Sequence, residues 1–183
     1  MFKIIAGLGN PGKQYQITRH NVGFLAIDYL AKQLGLLWQN NKKFSASIAK
    51  NSELILIKPL TYMNNSGQAI QAVLSFYKLL PKKFFLLTKT KTDLSSILTV
   101  IHDDLDIDFN KYKISVNSRS AGHNGVESII KYLKTKNFTR IRIGIKNSVT
   151  TKIPLEKFVL QNFTQEELVI LNKLIANFFL TYS

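Results

Sequence analysis

The chain has 183 residues, of which 45% are hydrophobic and 20% charged, a composition that fits one globular domain and excludes a disordered chain. It contains no cysteine, which excludes disulfides, a thiol nucleophile and thiolate metal sites. The net charge of +14 is compatible with a polyanionic partner and equally with a lysine-rich, well-solvated surface. The sequence has no apolar run of the roughly 18 residues that a membrane helix needs and no visible secretory signal, so we expect a cytoplasmic protein with no membrane partner.

The first half of the chain predicts strands and helices in alternation. The apolar runs and spacings predict, in order, a strand at 2–8, a helix at 22–37, strands at 44–49 and 54–57, and a helix around 69–77. Asn21 and Ser66 are the expected N-caps of the two helices. The lysine-rich segment 81–96 predicts a surface excursion, such as a hairpin.

The second half continues the same alternation. It predicts strands at 97–101, 111–116 and 138–145, helices at 126–133 and from 164 onward, and one helical turn at 156–160. Thr164 and Glu167 form the capping box of the last helix. Asp104, Asp106 and Asp108 have the spacing of the first ligands of a calcium loop, but Phe109 stands where that loop needs Gly and Ser115 where it needs Glu. We therefore expect these acids on a solvated turn. The predicted fold is a single α/β domain over residues 1–183, with a mixed central sheet flanked by helices.

Polar side chains follow several of the predicted strands and could meet at one edge of the sheet. A neutral imidazole can take a proton from water, and a carboxylate on its other nitrogen fixes the tautomer, which suits His20 and Asp103. Amide side chains can hold a water or stabilise an oxyanion without adding charge, which suits Asn10, Asn64 and Asn124. The residues therefore favour hydrolysis of an activated acyl bond, with water as the nucleophile.

The glycines at 7, 9 and 12 also match the fingerprint of a dinucleotide-binding loop. That fingerprint needs a helix that opens at the glycines and an acid at the end of the next strand. Here Pro11 and the polar run after it delay the helix, and Asp28 falls inside a helical pattern. Nucleotide binding therefore stays a distant alternative.

Several segments resemble, in the same order along the chain, the signature blocks of bacterial-type peptidyl-tRNA hydrolases. They are GLGNPG at 7–12 with TRHNVG at 18–23, YMNNSG at 62–67, HDDLD at 102–106, GHNG at 122–125 and FTRIRIG at 138–144. Any one block alone would be a weak signal, whereas the ordered set is specific and covers most of the chain.

The resemblance implies an enzyme that cleaves the ester between a peptide, or an N-acyl-aminoacyl group, and the 3′ ribose of tRNA. It implies His20 as the general base, Asp103 as its support, and Asn10 as a group that positions the scissile bond and water. The implied substrate-binding residues are Tyr15, Tyr62, Met63, Asn64, His123 and Asn124. The family needs no metal or cofactor for this reaction, and we expect a monomer.

The implied partner is the acceptor arm of peptidyl-tRNA. Lys113, Arg140 and Arg142 are the expected phosphate contacts, because Arg140 and Arg142 alternate onto one strand face with Lys113 beside them. Where the family usually has a second basic residue and a glycine-rich run, this chain has Ser115 and a loop that contains Arg119. The main alternative is a non-catalytic RNA-binding module on the same fold.

Overall fold

The computed structural model describes residues 3–80, 92–147 and 153–181, so most of the predicted surface excursion at 81–96 lies outside the described residues. The strands are β1 (Lys3–Gly7), β2 (Gln39–Asn41), β3 (Ala46–Lys50), β4 (Leu54–Pro59), β5 (Leu98–Asp108), β6 (Tyr112–Val116) and β7 (Thr139–Lys146). The helices are α1 (Val22–Gln33), α2 (Ser66–Phe76), α3 (Asn124–Leu133), α4 (Leu155–Val159) and α5 (Gln165–Thr181).

The strands form one seven-stranded sheet in the order β2-β3-β4-β1-β5-β7-β6. The central strands β4, β1, β5 and β7 run parallel, whereas β3 and β2 at one edge and β6 at the other are antiparallel to their neighbours. The prediction of an α/β fold with a mixed sheet is confirmed.

Helices cover both faces of this sheet. On one face, Ile4, Ala6 and Leu8 are fully buried in a core with residues of α2 and α3. On the other face, Ile101 and Ile141 pack in a second core with residues of α1 and α5. Within the described part of the chain, none of the helices is both long and apolar enough to cross a bilayer.

The largest departure from the predicted elements concerns β5. The strand does not end at 101 but continues to Asp108, so Asp104 lies in the sheet and not on a solvated turn. Asp104 is buried, and its carboxylate accepts a hydrogen bond from Arg142 Nε on β7 at 2.7 Å. The ion pair with Arg142 on the neighbouring strand thus stabilises Asp104 inside a strand whose own sequence is too polar to predict it. α1 also ends earlier than predicted, at Gln33, and Gly35 adopts the left-handed conformation just after it.

The topology puts the carboxyl end of β1 at a switch point. After β1 and α1 the chain returns to the sheet at the edge strand β2 and runs through β3 to β4 on one side of β1, and the next connection leads to β5 on the other side. Ligands of open α/β sheets bind where such connections diverge. α1 crosses β1 so closely that a Cβ on Gly7 would stand 2.2 Å from the Gly23 carbonyl oxygen. The glycine at 7 therefore serves helix–strand packing, which holds the residues before α1 over the carboxyl edge of the sheet.

Candidate active site

Two histidines converge on one buried carboxylate at this edge. His20 Nδ1 lies 2.8 Å from Asp103 Oδ1 and 3.0 Å from Oδ2, while His123 Nε2 lies 2.9 Å from Asp103 Oδ1. Asp103 comes from β5, His20 from the short turn Arg19–Asn21 before α1, and His123 from the N-cap position of α3. The three residues form what we call the His–Asp–His group.

Hydrogen bonds fix the proton positions on both rings. His123 Nδ1 accepts from the backbone N–H groups of Gly125 and Val126, so the proton of a neutral ring sits on Nε2 and is donated to Asp103. His20 faces the carboxylate with Nδ1, so that nitrogen carries the proton. The lone pair of neutral His20 is therefore on Nε2, on the side of the ring away from Asp103.

The environment keeps Asp103 ionised and makes His20 more basic. Burial would raise the pKa of Asp103, but the charges and hydrogen bonds of His20 and His123 lower it far below its ordinary range. Burial would likewise lower the pKa of His20, and the charge and hydrogen bond of Asp103 outweigh this, so the pKa of His20 is raised. The result is an orienting carboxylate beside an imidazole of increased proton affinity.

A third histidine packs behind the group. His102 is buried, its Nδ1 donates to the Asp103 carbonyl oxygen at 2.6 Å, and its ring lies edge-on to His123 with centroids 4.7 Å apart. Burial, followed by the charge of His123, lowers the pKa of His102 well below its usual value. The buried ring of His102 therefore packs behind the Asp103–His123 pair as a neutral group.

Asn10 links the turn that carries His20 to the loop after β4. Its Oδ1 accepts from the Met63 backbone N–H at 2.8 Å, which leaves its Nδ2 as a donor. Asn21 brackets the Asn10 backbone, with Oδ1 accepting from Asn10 N–H at 2.8 Å and Nδ2 donating to the Asn10 carbonyl at 2.9 Å. Sequence reasoning gave Asn21 only a capping role; the structure shows it supporting Asn10, a contact between loops that no local pattern signals.

The loop after β4 also touches the start of α3. A Cβ on Gly125 would lie 2.4 Å from Met63 Sδ, so Met63 is buried against this helix. Ser66 is not the N-cap of α2; its hydroxyl donates to the Met63 carbonyl oxygen at 2.9 Å. Asn64 and Asn124 are both exposed. Asn64 follows the buried Met63 and Asn124 follows His123, so each amide lies next in sequence to a residue with contacts in the site.

The two tyrosines that the sequence favoured lie outside this bonded network. Tyr62 is exposed and adopts a left-handed φ of 55° beside Met63. Tyr15 is half-buried in the short turn Lys13–Tyr15, where its carbonyl accepts from the Thr18 hydroxyl. A cleft of about 570 Å³, large enough for a small ligand, borders Asn10 on the side of Lys13.

The turn that carries His20 is braced from behind by a buried arginine. Arg19 Nη2 donates to both carboxylate oxygens of Glu167 at 2.9 Å, and its guanidinium lies 4.7 Å from the Phe158 ring and 4.9 Å from the Phe163 ring. The Arg19 backbone N–H also donates to the Gln161 carbonyl oxygen. The segment between α4 and α5 therefore fixes the backbone next to His20, and sequence reasoning missed this because the partners are 148 residues apart.

The three predicted phosphate contacts differ in exposure. Lys113 is exposed on β6, opposite Arg142 on β7, and Arg142 is partly exposed at 23% while it pairs with Asp104. Arg140 is only 1% exposed, and its Nη1 donates to the Arg119 carbonyl oxygen at 2.8 Å. The prediction for Arg140 needs correction, because a guanidinium buried in this way does not reach a phosphate in solvent.

The His–Asp–His group also has the donor types of a metal site. One ligand atom each from His20, Asp103 and His123 lies within 4.8 Å of the others. His20 Nδ1, His123 Nε2 and Asp103 Oδ1 already form the hydrogen bonds described above, so a cation held by these atoms would have to replace those bonds. The geometry thus fits general-base chemistry without further rearrangement.

Comparison with known proteins identifies the family. The model of the peptidyl-tRNA hydrolase family matches residues 4–181. The peptidyl-tRNA hydrolase of Mesoplasma florum is 40% identical over 182 residues, which is 96% of this chain and 90% of that protein. That of Mycoplasma mycoides subsp. mycoides SC is 39% identical over 174 residues, 93% of this chain and 86% of that protein.

Solved structures agree with these matches. The crystal structure of peptidyl-tRNA hydrolase from Acinetobacter baumannii has a TM-score of 0.80 and 29% identity, covering 96% of this chain and 83% of that one. A peptidyl-tRNA hydrolase in complex with N-propanol gives the same TM-score at 30% identity and the same coverage. From the family match over nearly the whole chain and the identities of its relatives, this chain belongs to the peptidyl-tRNA hydrolase family.

Proposed function

We propose that the protein hydrolyses the ester bond between a peptide, or an N-acyl-aminoacyl group, and the 3′ ribose of tRNA. The observation that carries the proposal is the pairing of His20 Nδ1 with the buried carboxylate of Asp103, which leaves Nε2 as the acceptor of a proton. Family membership supports the substrate class, since the relatives described above are all peptidyl-tRNA hydrolases.

The reaction proceeds by general-base attack of water. His20 Nε2 takes a proton from the water as its oxygen bonds to the ester carbonyl carbon, which gives a tetrahedral oxyanion. The Asp103 carboxylate stabilises the imidazolium that forms on His20. When the C–O bond to the ribose breaks, His20 returns the proton to the leaving 3′ oxygen, and the peptide is released as a carboxylic acid. No metal or cofactor enters these steps.

The amides supply the polar contacts. Because Met63 N–H holds Oδ1 of Asn10, the Asn10 amide group is oriented with Nδ2 available to the developing oxyanion or to the attacking water. Asn64 and Asn124 are exposed beside this position and bind the peptidyl group in our proposal, with Tyr15, Tyr62, Met63 and His123 lining the substrate site.

The tRNA is held through its phosphates. Lys113 and Arg142 face each other across β6 and β7, and we assign them to the acceptor arm. The net charge of +14 supports salt-dependent attraction to RNA. A cytoplasmic monomer fits this role.

The test is release of labelled N-acetyl-aminoacyl groups from tRNA by the wild type and by His20→Ala, with tRNA binding measured in parallel. Release by the wild type alone supports the proposal. Binding of tRNA without release by either protein would instead favour a non-catalytic RNA-binding module. Release by a folded His20→Ala at the wild-type rate would remove His20 from the mechanism.

A further inference from the structure

The buried Arg140 is directed at one backbone group. Its Nη1 donates to the Arg119 carbonyl oxygen at 2.8 Å, whereas its Nε and Nη2 have no hydrogen-bond partner among the described residues. Burial, and then the charge of Arg142, lower the pKa of Arg140, yet an arginine remains charged at neutral pH. Burying a charged guanidinium with a single hydrogen bond lowers the free energy of unfolding. The contact with Arg119 therefore calls for a role other than stabilising the fold.

The contact crosses from the sheet to a strained loop. Residues 117–122 connect β6 to α3, and Asn117, Ala121 and Gly122 all have positive φ, at 53°, 51° and 81°. Left-handed conformations of residues other than glycine persist only where the surroundings support them. Arg140 provides such support from β7, and it acts at Arg119, in the middle of the loop.

Arg119 itself is exposed and close in the chain to the His–Asp–His group. Arg119 is exposed, and the loop leads directly to His123, which donates to Asp103. Four residues span at most about 14 Å, so the Cα of Arg119 lies within that distance of the Cα of His123. If the ester binds at His20, as proposed above, the phosphates at the 3′ end of the RNA come near this loop.

We propose that Arg119 contacts a phosphate of the tRNA near the ester, and that Arg140 is a positioning residue that presents Arg119 without touching the RNA. This rests on the proposed function. Arginine suits the task because its planar fork binds phosphate oxygens in pairs. The buried charge of Arg140 then acts through the loop conformation, and the exposed charge of Arg119 carries the binding energy.

The experiment measures the affinity for deacylated tRNA between 0.05 and 0.2 M monovalent salt. Arg119→Gln should reduce the slope of log affinity against log salt by about 0.8, as expected for one lost phosphate contact. If the curves meet near 1 M salt, this slope corresponds to about tenfold weaker binding at 0.05 M and about fourfold at 0.2 M. Lys173→Gln removes one exposed charge on α5, on the opposite face of the sheet, and should leave the slope unchanged.

A double-mutant comparison separates the roles of the two arginines. Arg140→Met should weaken binding about as much as Arg119→Gln, and in the Arg119→Gln background it should add nothing. A further loss in that background would mean that Arg140 contacts the RNA itself and would overturn the proposal. Equal slopes for Arg119→Gln and Lys173→Gln would overturn it as well.

Two controls keep the result decisive. If Arg140→Met does not fold, Arg140→Lys keeps the charge but loses the guanidinium fork, and hydrogen exchange at the amides of 118–123 should become faster. Unchanged exchange would remove Arg140 as the support of the loop.

A wild type that releases N-acetyl-aminoacyl groups while Arg119→Gln binds tRNA normally defeats only this inference, whereas a wild type that neither binds nor hydrolyses defeats the proposed function.

Discussion

Replacing Asp103 by Asn tests the central geometry while changing little else. The carboxylate accepts from both histidines at Oδ1, at 2.8 and 2.9 Å, and again from His20 at Oδ2, at 3.0 Å. An Asn side chain offers only one acceptor oxygen and places an NH₂ group at the other position. If that NH₂ group faces His20, the ring must accept on Nδ1 and carry its proton on Nε2, where it cannot act as a base.

The magnitude follows from the two effects together. The variant loses the negative charge that stabilises the imidazolium, and it favours the inactive tautomer of His20. The equivalent change in Ser-His-Asp triads lowers kcat by about 10⁴. We therefore expect kcat to fall by about 10³ to 10⁴, which corresponds to about 4 to 5.5 kcal/mol of transition-state stabilisation. KM should change little, because in our mechanism Asp103 binds the two histidines and not the substrate.

The assay is single-turnover release of N-acetyl-aminoacyl groups from tRNA, with thermal unfolding as the control for folding. The acid limb of the pH profile supplies a second readout, since loss of the carboxylate should move the pKa of His20 downward. A folded Asp103→Asn protein that retains more than a tenth of the wild-type kcat would show that Asp103 does not hold His20 in its active form.

Three further predictions concern His20, Glu167 and Gly7. The kcat/KM of the wild type should fall on the acid side with a midpoint above about 6.5, because the pKa of His20 is raised. By linkage, protonated His20 stabilises the fold at low pH, and this stabilisation is lost as the pH rises through the raised pKa, which pH-dependent unfolding would detect. Glu167→Gln should lower the free energy of unfolding by about 2 kcal/mol and Tm by about 4–8 °C, because it weakens the pairing of the buried Arg19 guanidinium. The matched change Glu166→Gln, at an exposed carboxyl, should leave Tm nearly unchanged. Gly7→Ala should prevent α1 from packing on β1, since its Cβ would stand 2.2 Å from the Gly23 carbonyl oxygen, and a native-like circular dichroism spectrum and Tm would contradict this close approach.

Local pattern was sufficient for the elements that bury an apolar face. The spacing of apolar residues predicted α1, α3 and β7, and the structure confirms that Ile141, Ile143 and Ile145 face a core on the side opposite to Arg140. The capping box at the last helix is also confirmed, with Thr164 N–H donating to Glu167 and Glu167 N–H donating to the Thr164 hydroxyl. These features depend on neighbours two to four residues away, which a sequence displays directly.

Contacts between distant segments were the features that sequence could not supply. β5 looked too polar to continue past 101, because the partner that neutralises Asp104 is Arg142, 38 residues later. Arg140 looked like a surface cation, since nothing near it in the chain signals that it would be buried and donate to a loop carbonyl. For the same reason Asn21 looked like a cap only. The convergence of His20 and Asp103 was expected from the resemblance and the strand topology, but its hydrogen-bond geometry required the fold.

The most direct test of His20 as the general base is chemical rescue of His20→Ala by imidazole. The variant should release N-acetyl-aminoacyl groups from tRNA far more slowly than the wild type, and added imidazole should restore release in proportion to the concentration of its neutral form. That result would identify the missing function as proton acceptance at this position. Wild-type activity of His20→Ala without imidazole would contradict the assignment of His20 as the base.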